Sequence, residues 1–123
     1  MFNIVANTIH LTRGDVACFA VSSVYPDKTL YEFQSGDVVR FSVYEKGDLE
    51  YLLLKKDVPV NEASTSVDIY LTGEDTKIGE IINAPTTYWY EIVINPDTAP
   101  QTILGYDLKG AKELILYPEG SDE

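Results

Sequence analysis

Leu11-Thr12-Arg13-Gly14-Asp15-Val16-Ala17-Cys18-Phe19-Ala20-Val21 decides the class of this protein, because a tight glycine turn runs straight into Ala17, Phe19 and Val21 at every second position. Period two is the signature of a strand with one face against a core. Upstream, Ile9 and Leu11 share one parity with His10 between them on the other, so the turn at Arg13-Gly14-Asp15 joins two expected strands. Gly14 permits a positive φ, Asp15 can satisfy turn amides, and Arg13 is expected as a solvated charge. The same tripeptide is recognised by some cell-surface receptors when displayed on a loop tip, a role that requires this turn to be exposed.

Working outward, alternation recurs between Gly, Pro and Asp turns. The second strand is expected over Val16 to Val24, ended by Tyr25-Pro26-Asp27-Lys28, since proline cannot donate to a ladder. After an extended piece at Leu30, Tyr31 and Phe33 and the Ser35-Gly36-Asp37 turn, Val39, Phe41 and Val43 face the core while Arg40, Ser42 and Tyr44 face out. Lys46-Gly47-Asp48 turns the chain into a partner strand over Tyr51 to Lys56, whose parity Leu52, Leu53 and Leu54 leave open. Val58 to Ser64 reads as a connection. Val67, Ile69 and Leu71 alternate with Asp68 and Tyr70, and Thr72 to Thr76 forms one capped helical turn, with Thr72 as the cap. Tyr88, Tyr90, Ile92 and Ile94 take the core side of the next strand, so Trp89 and Val93 face outward. Tyr90 fits the position of a tyrosine that bonds back to the corner at Asp75 to Gly79. Thr102 to Tyr106 and Glu113 to Tyr117 complete the pattern.

Seven or eight strands with frequent turns predict an all-β, immunoglobulin-like antiparallel β-sandwich, with a small β-barrel as the alternative. The 123 residues suffice for one core. One domain is expected over residues 1–118, followed by a short acidic tail at 119–123.

With 20 Asp and Glu against 9 Lys and Arg, the net charge is −11 and the basic residues are scattered, which disfavours nucleic acid and membrane surfaces as partners. A single cysteine, Cys18, precludes an internal disulfide and is read as a small hydrophobe. No basic leader followed by a long apolar run opens the chain, and no segment has the roughly 20 apolar residues of a membrane helix. The many carboxylates sit in or beside turns without calcium-loop spacing, and the one histidine has no readable nucleophile beside it. No catalytic residues, no metal ligands and no cofactor are therefore assigned. Nine tyrosines and one tryptophan make the remaining constellation. Tyr44, Tyr70 and Trp89 point away from the core by parity and are the candidate interface residues, with Tyr44 and Trp89 on one outer face if their strands share a sheet.

Leu11 to Ala17, Gly36-Asp37-Val38-Val39, Leu53-Leu54-Lys55-Lys56 and the Tyr88 to Ile94 strand together resemble small structural proteins of phages and prophages of Gram-positive bacteria. The layout is similar to the immunoglobulin-like N-terminal domain of the upper baseplate protein of lactococcal-type phages, and departs from it at Val58 to Ser64 and at Ala84-Pro85. The resemblance implies a non-enzymatic virion component of tail or baseplate type, made in the host cytoplasm, that binds itself or another virion structural protein. Adhesion to a host surface protein or glycan is the alternative.

Overall fold

A computed structural model of the chain describes residues 2–25, 27–108 and 110–119 and shows an all-β sandwich. The strands are β1 (Phe2–Val5), β2 (Thr8–Thr12), β3 (Ala17–Val21), β4 (Val38–Glu45), β5 (Asp48–Pro59), β6 (Val67–Leu71), β7 (Thr86–Ile94), β8 (Gln101–Leu104) and β9 (Lys112–Tyr117). The main sheet runs β1-β2-β9-β7-β4-β5, with β8 also on β7, and the second sheet is only β3-β6. The chain passes from β3 to the β4-β5 hairpin, back to β6 and again to β7, which is the exchange between sheets of an immunoglobulin-like fold.

The main sheet is mixed, a departure from the antiparallel expectation: β2 lies parallel to β9, pairing Ile9 with Leu114 and Leu11 with Leu116. Parallel neighbours need a long connection, and here nearly the whole domain intervenes. Among the described residues nine strands form rather than seven or eight. Phe2–Val5 adds an outer strand through a two-residue loop at Ala6 (φ 49°) and Asn7 (φ 68°) that pairs Val5 with Thr8. Both positive angles match the hairpin turn whose twist suits flanking strands. Several expected boundaries also move. β3 ends at Val21, beyond which Val24 only bridges Leu30, and Pro26 lies outside the described residues. β5 extends through Pro59, so the expected connection begins as strand, with the proline on an outer edge where no amide donor is needed.

The parity expected for the central strands places the core. Leu11, Val39, Phe41, Val43, Ile69, Leu114 and Leu116 are fully buried between the sheets, joined by Phe19, Tyr88, Tyr90 and Ile92. Phe41 meets Phe19 edge-on at 5.5 Å and Tyr90 at 5.7 Å, so aromatic packing spans both layers. Burial pushes the Tyr90 phenol up to about 12. Its hydroxyl donates to the Asn7 carbonyl at 2.6 Å, in the β1–β2 turn, so it does not reach back to the Asp75 to Gly79 corner as expected.

The Thr72 to Thr76 segment forms the expected helical turn. The Asp75 N–H donates to the Thr72 hydroxyl at 3.1 Å and the Thr72 N–H to the Asp75 carboxylate at 2.9 Å, a reciprocal cap. The buried Thr76 hydroxyl then ties this turn to the one at Gly14, donating to the Asp15 carbonyl at 2.7 Å and accepting from the Gly14 N–H at 3.0 Å.

Candidate functional site

β4 and β7 are neighbours, and their register sets Tyr44 directly opposite Trp89 on the outer face of the main sheet. The Tyr44 hydroxyl donates to Glu91 Oε1 at 3.1 Å, reaching across Ser42, which pairs with Glu91 in register. Ser42 is buried although it faces outward, a departure from the expected solvated alternation caused by these larger neighbours. Burial raises the Tyr44 phenol above its ordinary value and the Glu91 carboxylate adds to the rise, against an opposing bond from Ser42. The phenol is therefore a neutral donor. Trp89 is half-buried and meets Tyr106 edge-on, with ring centroids 5.7 Å apart.

Tyr106 reaches Trp89 because β8 and β9 both pair with β7, β8 at Ile92 to Ile94 and β9 at Thr86 to Tyr90. The chain between them loops out, and Lys112 Nζ closes the loop's base on the Gly105 carbonyl (3.2 Å) and Asp107 (2.8 Å). Farther along the same outer face, the Arg40 guanidinium forks onto Asp57 at 2.7 and 3.0 Å and reaches Asp97 at 3.2 Å. The bond from Arg40 holds the Asp57 carboxyl below its ordinary value, against the effect of burial. The face thus reads as an ion-pair cluster at one end and an aromatic strip at the other.

Tyr70 does not join this strip. It is 48% exposed on β6, opposite Cys18 in register, on the outer side of the small sheet. Cys18 has the parity expected for it but is exposed, so it is not the packed small hydrophobe that its residue type leads one to expect. Tyr44 and Trp89 are one surface, and Tyr70 belongs to another.

The Arg13-Gly14-Asp15 turn carries the chain from the main sheet to the small one, with Gly14 at φ 90°. Arg13 is not a solvated charge. It is 8% exposed, bonded to Glu119 at 2.8 Å and to the Gly79 carbonyl at 3.2 Å, so the tripeptide is not displayed for a receptor. Glu119, expected to begin a frayed tail, is this pair's other half, and residues 120–123 lie outside the described ones.

The turn carboxylates do what turn residues do. Asp27 accepts from the Thr29 hydroxyl at 2.6 Å and Asp48 from the Glu50 N–H at 3.0 Å. Asp37 accepts from the Gln34 N–H, the Tyr31 hydroxyl and the Asn95 amide, and the Gln34 bond leads in holding it below its ordinary value. Among the described residues no group of three or more His, Cys, Asp or Glu is placed to hold a metal ion, and no helix is long and apolar enough to cross a membrane.

The chain matches no known family model, curated protein or solved structure.

Sequence reasoning read Arg40 outward on the face of Tyr44 but missed its ion pairs, and it missed Tyr106 and Glu91 as neighbours of the aromatic pair. Glu91 was legible in principle, since it alternates outward on the same strand as Trp89. Tyr106 carried no such signal, because its position depends on the loop between β8 and β9.

Proposed function

We propose that the chain is a non-enzymatic protein–protein assembly module of a phage or prophage virion, of tail or baseplate type. The observation that carries the assembly reading is where its exposed aromatic and aliphatic side chains stand. Tyr51 and Leu52 on β5 and Tyr70 on β6 are exposed and Tyr44 and Trp89 on β4 and β7 are half-buried, all five held on strands. Aromatic rings on a rigid scaffold contribute contact area at little ordering cost. The virion assignment rests on the resemblance of Leu11 to Ala17 and the other quoted segments to phage structural proteins.

Mass spectrometry of purified particles from a host carrying this gene tests the assignment. The chain is expected among the stoichiometric tail or baseplate components, and particles without it would overturn the reading. Adhesion to a glycan is the second reading, favoured by the Trp89–Tyr106 pair. Glycan-array binding that disappears in Trp89→Ala would select it over assembly.

A further inference from the structure

The sandwich is lopsided, since a main sheet six strands wide faces a small sheet of two. Among the described residues, β1 pairs only with β2 and β3 only with β6, so each leaves one strand edge unpaired. Phe2 stacks on Phe19 at 5.9 Å, which puts these two free edges on the same side of the molecule. Between them lies a groove of about 520 Å³, with Ile9, Ile92 and Leu104 on its main-sheet side and Phe19 on its small-sheet side. Ile4 and Val24, 41% and 56% exposed, also line it.

The charge pattern says what can cover this groove. In a chain that is 24% charged, none of the fourteen residues lining it carries a charge. Neither does any residue of β1 or β3. Edges exposed to solvent are normally guarded by charge or proline, and the opposite edge of the main sheet is: β5 carries Asp48, Glu50, Lys55, Lys56, Asp57 and Pro59. A basic partner would find no carboxylate here to pair with. A second copy, by contrast, presents the matching chemistry, since its own β1 is an uncharged apolar strand with a free edge. With a net charge of −11 on each copy, a groove and two edge strands without carboxylates are also where two copies approach with least repulsion.

We propose that this open side is a two-fold homodimer contact in which β1 of each copy pairs with β3 of the other. The main sheet of one copy then continues into the small sheet of its partner, and each copy's β1 covers the other's groove. Such a contact is isologous and uses the β1 and β3 edges of both copies, so this contact joins two copies and no more. It deepens the assembly reading by naming the partner and the surface, and it rests on that reading only for its biological purpose.

The test is molar mass by light scattering and sedimentation over a range of concentrations and salt. The intact chain is expected to be a dimer that tightens as salt screens the like charges. Ile4→Lys and Ala20→Lys, at exposed positions on the two edges, are expected to weaken it roughly thirtyfold or more while leaving the circular dichroism and thermal transition intact. Leu52→Lys, on the far edge strand β5, should leave the dimer unchanged. A monomer at high concentration overturns the proposal, as does a dimer that both edge lysines spare. A monomer that still enters particles overturns this contact while sustaining the assembly reading.

Discussion

Arg13 joins three distant parts of the chain. Its backbone N–H continues the parallel pairing to the Tyr117 carbonyl at 3.0 Å, while its guanidinium reaches Gly79 and Glu119. Removing this buried, charged donor takes away its bonds to the Gly79 carbonyl and Glu119 and leaves a void where its side chain packed. Arg13→Ala is expected to lower stability by about 2 kcal/mol, read from the urea midpoint. An unchanged midpoint would mean the side chain is solvated in solution. Ala6 is the opposite case, a residue with a Cβ held at φ 49°. That conformation costs an L-residue about 1–2 kcal/mol, so Ala6→Gly should raise the thermal midpoint, and a fall would contradict the hairpin geometry. Neither feature was legible locally. The partner of Arg13 is 106 residues away, and nothing in the residue type Ala points to a left-handed turn.

At the scale of elements, legibility followed two-sided contrast. The strands containing Val39 to Val43, Val67 to Leu71 and Tyr88 to Ile94 alternate because one face meets the core, and the structure places them as read. β1 and the ends of β5 lacked that signal because they are edge strands with most side chains exposed. The parallel β2–β9 pair was illegible for another reason: a ladder between residues about a hundred positions apart leaves no mark in either segment. Tyr44 and Trp89 were placed on one face by parity, but only the β4–β7 register makes them direct neighbours.

The two turns latched by Thr76 make a sharper prediction. A Cβ on Gly73 would sit 2.8 Å from the Gly14 carbonyl oxygen, closer than backbone can yield. Gly73→Ala is therefore expected to cost about 1–3 kcal/mol in equilibrium unfolding, and a neutral result would show that the turns do not pack together.

Acid sensitivity also belongs to these elements. Asp37, Asp57 and Asp75 are each held below the ordinary carboxylate value of 3.8. For Asp75 burial acts upward, and the Thr72 amide, the Lys56 ammonium and the Thr72 hydroxyl outweigh it. A depressed folded value means that the unfolded chain binds more protons, so the stabilisation is present above the ordinary value and is lost as pH falls through the depressed one. The urea midpoint should drop as pH is lowered from about 5 towards 2, and less steeply in Asp37→Asn. Equal slopes would remove Asp37 from the account.

For the whole molecule, the unequal sheets and the uneven distribution of charge are the defining features. One side of the main sheet ends in a charged strand that discourages pairing, and the other ends in an uncharged one beside an uncharged groove. The measurement that tests this most directly is amide hydrogen exchange, strand by strand, at dilute and at high protein concentration. The β1–β3′ contact predicts that amides of Phe2–Val5 and Ala17–Val21 slow as concentration rises while those of Asp48–Pro59 do not change. Exchange that is independent of concentration on β1 and β3, or that slows instead along β5, would contradict it.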